Sequence, residues 1–402
     1  MWPGITYETC GWERDLDALA FIPKSRRRKI LPTYEAAVPA SIASLPVEIS
    51  PSLMQRIAEV GASLARFDQA QASRDWSLPA LLLRSESSSS SQIERLTSSV
   101  RNVALAELSD KAPANALLIA GNVAAMREAL GQRGAIDVTS ICSVHDVLMR
   151  GTGESQGLRD EQVWIGGSPY SPHGAAFVPP CAARVRPCLE DLVAFAGRDD
   201  VSPIAKAAVF HAQFETIHPF TDGNGRTGRA LLHRMLIGEE VLLHTTLPVS
   251  AGLLHDVDRY MGALDAYHDG LIEPMVECLA DALELSVVIG ARVAADVTEV
   301  LDGWALANTD RAGSASHRLP AVLIEQPVVD VAYVASHLGI TDRAARNLVE
   351  VACERGILVK MGNAKRGAFY QAPDLISVLE EVSSLEGIRR IANRNPNRPR
   401  RS

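Results

Sequence analysis

The sequence lacks any long run of apolar residues. Its most apolar stretches, such as residues 116–125, are much shorter than the about 20 residues that a membrane-spanning helix needs. Residues 1–8 contain no basic flank followed by an apolar segment, so they do not resemble a secretory signal. We therefore expect a soluble, cytoplasmic protein that has no membrane partner.

Cysteine is also scarce, with six residues in a chain of 402 and no C-x-x-C pair among them. An even cysteine count indicates a disulfide framework mainly in short secreted chains. In a long cytoplasmic chain we expect reduced, mostly structural cysteines, and their scattered spacing does not predict a cysteine metal site. They are Cys10, Cys142, Cys181, Cys188, Cys278 and Cys353.

Hydrophobic residues make up 47% of the chain and charged residues 22%, which excludes disorder over most of its length. The length corresponds to about two to four domains. The net charge of −8 argues against wholesale coating of nucleic acid, but it leaves open a small local basic surface. No repeat with a period of about 20–50 residues is visible, which argues against solenoids and propellers.

Hydrophobic periodicity predicts a mainly α fold. Two short β-prone runs, residues 162–167 and 176–180, are joined by a segment rich in Pro, Ser and Gly, which predicts a β-hairpin on a helical body. Amphipathic helices are predicted at residues 52–68, 114–130, 137–149, 202–217, 226–236 and 256–266.

Changes in composition divide the chain into five predicted parts. An N-terminal domain at residues 1–110 precedes a helical core at residues 111–300. A polar, punctuated linker at residues 301–325 leads to a small C-terminal domain at residues 326–385. Residues 386–402 are rich in Arg, Asn and Pro, which predicts a basic, disordered tail.

The densest group of chemically useful side chains is the segment His-Pro-Phe-Thr-Asp-Gly-Asn-Gly-Arg-Thr-Gly-Arg at residues 218–229, between two predicted helices. Gly223 and Gly225 allow a tight turn that points successive N–H groups into one concavity. The N-terminus of the following helix adds unpaired N–H groups and a positive dipole end. The loop is therefore predicted to bind an anion.

The charged and titratable residues of this segment specify the anion further. Arg226 and Arg229 lie three apart on the second helix and project from one face, which suits a polyphosphate. Asp222 offers a hard oxygen ligand for Mg²⁺, and His218 can act as a general base near neutral pH. Each residue alone is common in a purely structural role. Their combination within twelve residues predicts a catalytic site.

The segment resembles the signature of the Fic family, H-P-F-x-D/E-G-N-G-R-x-x-R, at every defined position. The resemblance implies a helical Fic core whose enzyme transfers AMP from ATP to a Ser, Thr or Tyr hydroxyl of a protein. It implies that His218 deprotonates this hydroxyl and that Asp222 holds Mg²⁺ on the phosphates. It also implies an anion hole formed by the backbone of Gly223, Asn224 and Gly225, with Arg226 and Arg229 on the β- and γ-phosphates.

The predicted hairpin at residues 163–179 resembles the flap that covers the site in this family. An exposed flap edge would hold a segment of the target protein by strand addition. The residues assigned to this docking role are Gly166, Gly167, Ser168 and Gly174. A purely structural hairpin is the alternative interpretation.

A serine run lies upstream, and taken by itself it is typical of a flexible linker. Beside the Fic signature, residues 85–98 resemble the inhibitory helix of the family, S/T-x-x-x-E-G/N, with Ser90 and Glu94 in the defined places. The resemblance implies that Glu94 pairs with Arg229 and occupies the γ-phosphate position. Arg95 departs from the pattern, because Gly and Asn are the residues that tolerate a left-handed helix end.

The C-terminal domain is predicted to be a winged helix. A helix at residues 331–340 ends in a glycine turn, and a second helix follows at residues 341–349. β-prone runs at residues 356–360 and 368–370 flank a wing. The charge of this region is only weakly positive, so DNA contact and protein docking stay open as alternatives. The candidate DNA contacts are Arg343, Arg346, Asn347, Lys365 and Arg366.

The sequence therefore predicts a Mg²⁺-dependent protein adenylyltransferase that Glu94 inhibits. Three alternatives remain: a Fic enzyme with another nucleotide donor, an enzyme that removes AMP, and a nucleotide-sensing transcriptional regulator. The target protein, which includes the chain itself as a candidate, is not predicted. A homodimer is also left open.

Overall fold

A computed structural model of the chain describes residues 2–12, 30–72, 74–153, 156–364 and 367–394. The chain forms two compact units, each built from three segments. The first unit contains residues 1–57, 128–239 and 258–278. The second unit contains residues 58–127, 240–257 and 279–402.

The helices carry the fold, and the strands are short. Strands β1 (Thr6–Gly11) and β2 (Thr33–Val38) form an antiparallel pair, and β3 (Val328–Val329), β4 (Val359–Lys360) and β5 (Tyr370–Gln371) form a second sheet in the order β3-β5-β4. The helices are α1 (Pro51–Gln71), α2 (Leu78–Ile93), α3 (Val100–Ala106), α4 (Ala114–Gly131), α5 (Val138–Leu148), α6 (Ala182–Ala196), α7 (Pro203–Ile217), α8 (Asn224–Gly238), α9 (Val249–His255), α10 (Val257–His268), α11 (Glu273–Ala307), α12 (Leu319–Glu325), α13 (Val331–Leu338), α14 (Asp342–Glu354), α15 (Pro373–Ser383) and α16 (Leu385–Arg394).

The mainly α prediction is confirmed, and each of the six predicted helices is present as α1, α4, α5, α7, α8 or α10. Among the described residues, none of the helices combines the length and the apolar composition that crossing a bilayer requires.

Helix α7 forms the centre of the first unit and packs against α6 and α8. Ser202 precedes it and Pro203 occupies its first position, where the missing N–H of proline costs no hydrogen bond. Gly228 lets α8 approach α7 closely, because a Cβ at this position would lie 2.9 Å from the ring of Phe214. This close contact fixes the positions of both helices, and the loop that begins at His218 lies between the end of α7 and the start of α8.

Helix α2 forms the centre of the second unit and packs against α9, α12 and α15. The serine run is part of this helix, so the interpretation as a flexible linker is wrong. The serines are buried, and neighbouring polar groups stabilise the helix: Asn122 donates to the Ser87 carbonyl (3.0 Å), and the Ser250 N–H donates to the Glu86 carboxylate (2.7 Å).

The C-terminal part of the second unit contains two helices joined by a short turn. Gly339 ends α13 with a φ of 65°, and Thr341 caps α14 by accepting a hydrogen bond from the Ala344 N–H. Strands β4 and β5 then pair with each other. This order of elements is the predicted one, and its assignment as a winged helix stays a prediction. Lys365 and Arg366 lie outside the described residues.

Some predicted boundaries differ from the structure. The predicted linker at residues 301–325 contains the end of α11 and all of α12, because apolar side chains such as Trp304 and Leu323 are buried there. The predicted tail at residues 386–402 begins with α16, in which Ile388 and Ile391 are buried between exposed basic residues. Residues 395–402 lie outside the described part. The two units also do not follow the predicted division at residue 110.

Candidate active site

Helix α7 ends at His218, whose backbone adopts the left-handed conformation with φ 49° and ψ 63°. The His218 Nδ1 lies 3.4 Å from the Glu215 carbonyl oxygen. Because a carbonyl can only accept a hydrogen bond, this contact places the proton on Nδ1 and leaves the lone pair of Nε2 available. The ring is thus oriented to accept a proton at Nε2.

Arg159 holds the backbone around His218. Its Nε donates to the His218 carbonyl (2.8 Å), and its own backbone N–H donates to the Pro219 carbonyl (3.0 Å). The guanidinium also donates to the carbonyls of Glu161 (2.9 Å) and Pro180 (2.5 Å). Arg159 is buried, and burial lowers its pKa to about 10, so it still carries its charge at pH 7. It therefore ties both ends of the flap segment to His218.

The protonation of His218 follows from this environment. Burial lowers the pKa of His218 to about 4, and the positive charge of Arg159 acts in the same direction. The imidazole is therefore neutral at pH 7, the form that a general base requires.

The side chains of His145 and Asn224 hold the backbone of the loop after His218 in place. The Phe220 ring stacks on the His145 ring with centroids 3.7 Å apart, and His145 Nε2 donates to the Asp222 carbonyl (3.1 Å). The side-chain amide of Asn224 donates to the Phe220 carbonyl and accepts from the Phe220 N–H, both at 2.9 Å. The loop backbone is thus fixed by neutral hydrogen bonds before any anion binds.

Gly223 is the residue at which the loop becomes helix α8. Its φ is 74°, and a Cβ at this position would lie 2.9 Å from Leu148 Cδ2 and 3.1 Å from Met149 Sδ. Both the backbone conformation and the space therefore require glycine. The N–H groups of the first turn of α8 follow directly, and such groups have no acceptor within their own helix. They form the predicted anion-binding end, which includes Asn224 and Gly225.

The predicted metal ligand and the first predicted phosphate ligand are neighbours. Arg226 donates to the Asp222 carboxylate at 3.2 Å. The Arg226 side chain is 4% exposed, whereas that of Asp222 is 60% exposed. The carboxylate thus faces solvent at the mouth of the loop, where a cation could reach it.

Arg229, the second predicted phosphate ligand, is buried and belongs to a polar network in the first unit. It forms a side-chain hydrogen bond with Tyr260, whose hydroxyl lies 2.8 Å from His211 Nε2. Burial lowers the pKa of His211 to about 3, with the charge of Arg229 as a second cause, so His211 is a neutral acceptor. The Tyr260 hydroxyl therefore donates to His211 and accepts from Arg229, which fixes the guanidinium.

Residues 135–236 match the Fic/DOC family, and the match includes the whole signature loop with the helices on both sides. This part of the chain is therefore similar to the Fic/DOC family. The chain is 30% identical over 129 residues to a probable protein adenylyltransferase of Aquifex aeolicus, which covers 32% of this chain and 36% of that protein. It is 29% identical over 137 residues to the protein adenylyltransferase Fic-1 of Caenorhabditis elegans, which covers 33% of this chain and 24% of that protein.

The match thus spans about a third of the length of the first relative and about a quarter of the second. A solved structure of a Fic family protein from Desulfovibrio desulfuricans superposes with a TM-score of 0.52 at 21% identity. The superposition covers 81% of this chain and 97% of that structure, which shows that the two share a fold.

The hairpin predicted as a flap, residues 163–179, is less regular than expected. Isolated bridges join Ile165 to Phe177 and Ser168 to Ser171 in place of continuous strands. Gly166 and Gly167 both have positive φ, which interrupts the extended conformation at the predicted docking edge. Among the predicted docking residues, Gly166, Gly167 and Gly174 are exposed, and Ser168 is half-buried.

The remaining predicted residues belong to the second unit. Ser90 is buried in α2, and Glu94 is the C-cap of that helix. Arg343, Arg346 and Asn347 are exposed on α14.

No sequence pattern predicts four further residues of the site, because each of them holds another site residue in place: Arg159, His145, Tyr260 and His211. A neutral side chain or a main-chain carbonyl as the partner leaves no recognisable spacing in the sequence.

Proposed function

We propose that this chain transfers AMP from ATP to a hydroxyl group of a protein. The observation that carries the proposal is a neutral imidazole, His218, oriented at the entrance of a loop that ends in an anion-binding helix N-terminus. The adenylyltransferase names of the matched relatives support it.

In the proposed reaction, His218 Nε2 accepts the proton of the target hydroxyl while the hydroxyl oxygen attacks the α-phosphorus of ATP. The new P–O bond replaces the bond to the bridging oxygen, and diphosphate leaves. A bound triphosphate brings negative charge beside His218, which raises the pKa of the imidazole and favours proton transfer to it. The low pKa of the resting site therefore keeps the base neutral until substrate arrives.

The protein stabilises the charge that develops on the leaving diphosphate. The N–H groups at the start of α8 and the guanidinium groups of Arg226 and Arg229 supply fixed donors, which need no reorganisation during the reaction. The network through Tyr260 holds one guanidinium, and the contact with Asp222 holds the other. Preorganised donors of this kind are the main catalytic means in phosphoryl-type transfer.

The residues present also fit Mg²⁺. Asp222 provides an exposed carboxylate beside the proposed phosphate site, and Mg²⁺ is commonly held by one or two carboxylates together with substrate phosphates. When bound there, Mg²⁺ would neutralise part of the charge of the diphosphate. Arg226, which donates to the Asp222 carboxylate, would help to orient this ligand.

The proposal includes inhibition by Glu94. The residue caps α2, a helix whose burial gives its end a fixed position within the second unit. One guanidinium cannot bind a carboxylate and a phosphate at the same time. A Glu94 carboxylate bound to Arg229 would therefore compete with the γ-phosphate of ATP. The resemblance to the inhibitory motif supports this pairing.

The test is incubation of the protein with ATP labelled at the α-phosphate, followed by mass spectrometry of the modified proteins. We expect Glu94→Gly to raise labelling at least about tenfold, since a charge-assisted hydrogen bond contributes about 1.5–3 kcal/mol. We expect His218→Ala to lower it by at least about 100-fold, the contribution of a general base. The double variant should be as inactive as His218→Ala. Equal labelling by all four proteins would remove both the base and the inhibitory assignments.

One observation favours DNA binding as a second function. Arg343, Arg346 and Asn347 are exposed on α14, the second helix of the helix-turn-helix pair, which is the helix that reads bases in DNA-binding relatives of this arrangement. Binding of the wild-type protein to genomic fragments, lost in Arg343→Ala and Arg346→Ala, would support this function. If the protein did not change the electrophoretic mobility of any fragment, DNA binding would be rejected and protein docking would remain as the alternative role of α14.

A further inference from the structure

The first unit brings three metal-ligating side chains together outside the Fic loop. Glu8 and Cys10 belong to β1, and Cys181 lies directly before α6. A carboxylate oxygen of Glu8 and the two sulfur atoms all lie within 4.8 Å of one another. The Cys181 Sγ is 3.2 Å from Glu8 Oε1. All three residues are half-buried, so small solutes can reach them.

Ordinary backbone geometry explains why these side chains meet. Residues two apart in a strand point to the same face, so Glu8 and Cys10 share one face of β1. Cys181 is the residue before the first turn of α6, and Arg184 lies on that turn. Arg184 donates two hydrogen bonds to the Glu8 carboxylate, at 2.6 Å and 2.7 Å. This bidentate pair orients the carboxylate beside the two thiols.

We propose that Glu8, Cys10 and Cys181 form a binding site for Zn²⁺. Two thiolates and one carboxylate are ligand types that Zn²⁺ accepts, and thiolate sulfur selects it over harder cations such as Mg²⁺. Three protein ligands leave the fourth tetrahedral position to water. Arg184 takes the place of the outer hydrogen-bond partner that usually fixes a ligating carboxylate.

The site would join two distant parts of the first unit. Residues 10 and 181 are far apart in sequence, so a metal between them cross-links β1 to the start of α6. Pro180, which precedes Cys181, accepts a hydrogen bond from Arg159. The metal would therefore stabilise the chain segment to which Arg159 ties His218. The proposal itself does not depend on the AMP-transfer function.

The first test measures Zn²⁺ binding to the full-length, metal-stripped protein by calorimetry and by elemental analysis after dialysis. We expect one equivalent of Zn²⁺ in the wild type and loss of at least about 90% of it in Cys10→Ser and Cys181→Ser. Glu8→Gln, which removes the charge of a direct ligand, should weaken the affinity at least about tenfold, because loss of a hydrogen-bond partner of a ligand alone costs about 10–100-fold. Cys142→Ser, which changes a half-buried cysteine of α5, is the matched control and should retain the metal. Absence of bound Zn²⁺ in the wild type, or equal binding in all variants, would overturn the proposal.

A second test needs the wild-type protein alone and so does not depend on the folding of variants. Co²⁺ added to the stripped protein should give the intense absorption of thiolate-to-cobalt charge transfer, and Zn²⁺ should displace it. Zn²⁺ should also protect two cysteines from alkylation, and peptide mass spectrometry should identify them as Cys10 and Cys181. Protection of other cysteines, or recovery of these two as a disulfide from protein that never binds Zn²⁺, would contradict the proposal.

Discussion

Helices α7 and α2, the central helices of the two units, end in the same unusual way. The chain turns into the left-handed conformation at His218 after α7 and at Arg95 after α2, with φ values of 49° and 64°. Neither residue is a glycine, and this conformation costs other residues about 1–2 kcal/mol. Both ends therefore hold backbone strain.

The two ends differ in what holds the strained residue. At His218, Arg159 binds the carbonyl, and the Glu215 carbonyl accepts from the ring. At Arg95, backbone N–H groups close the helix: Arg95 donates to Gln92 and Leu96 donates to Ser91, both at 2.9 Å. This is a Schellman motif, whose left-handed position is usually glycine. The strained backbone at His218 thus positions a side chain that has a proposed chemical role. The strained backbone at Arg95 positions an exposed side chain for which no chemical role is proposed.

The largest expected effect is at the contact that distinguishes the His218 end. We expect Arg159→Gln to lower kcat/KM for AMP transfer about 100-fold, because small displacements of a reacting group cost about that much. Loss of the positive charge should also raise the pKa of His218, so the acid limb of the pH profile should move to higher pH. Arg159→Lys keeps the charge and should leave the acid limb in place.

Arg186→Gln is the control for this substitution, because Arg186 is an exposed arginine of α6 outside the network. An Arg159→Gln enzyme that is slower but has the wild-type pH profile would show that Arg159 supports folding without influencing His218.

The second expected effect is a dependence on pH at the His218 end. Because the pKa of His218 is about 4, kcat/KM should stay near its pH 7 value down to about pH 5. The unfolded chain binds a proton on His218 below pH 6.5, while the folded chain does so near pH 4. The free energy of unfolding should therefore fall as pH decreases from 6.5 to 4, and His211 acts with the same sign.

Denaturant titrations of the wild type and of His218→Gln across this pH range provide the measurement. The variant should lose less stability than the wild type, since it lacks one of the histidines whose pKa is lowered by folding. An acid limb of activity at pH 6.5, with equal pH dependence of stability in both proteins, would mean that the surroundings of His218 do not lower its pKa.

A smaller effect is expected in the loop after His218. His145→Phe keeps a ring to stack on Phe220 but removes the hydrogen bond to the Asp222 carbonyl, which contributes about 1 kcal/mol. We expect KM for ATP to rise about fivefold with little change in kcat. His145→Gln, whose amide can donate to the same carbonyl, should recover part of the loss. A fall in kcat at constant KM would instead place the effect on His218.

Local sequence pattern predicted where α7 ends, whereas only the resemblance to an inhibitory helix predicted that the serine run is helical. At residues 218–229 the relevant interactions are local: glycines set the turn, and arginines three apart share a face. Serine has weak helix propensity, so the helical state of the serine run depends on burial by neighbouring helices, which local sequence does not record.

Long-range contacts were missed for a related reason. Strands β1 and β2 are separated by residues 12–32, so no tight-turn signal joins them. The partners of Arg159 are main-chain carbonyls, which every residue possesses. Glu8 and Cys10 meet Cys181 through the fold alone. Sequence spacing therefore found the side chains proposed to touch substrate and missed those that position them.

The smallest expected effect tests the strain at the α2 end. Arg95→Gly should raise the free energy of unfolding by about 0.5–1 kcal/mol, because glycine adopts the left-handed conformation without the steric cost but is more flexible when unfolded. The same substitution at Arg346, exposed within α14, is the matched control and should lower the stability by about 1 kcal/mol. Urea midpoints of the two variants and the wild type provide the measurement. If both variants were destabilised alike, Arg95 would make a contribution to the α2 end that outweighs its backbone strain, and the two helix ends would be more similar than their contacts indicate.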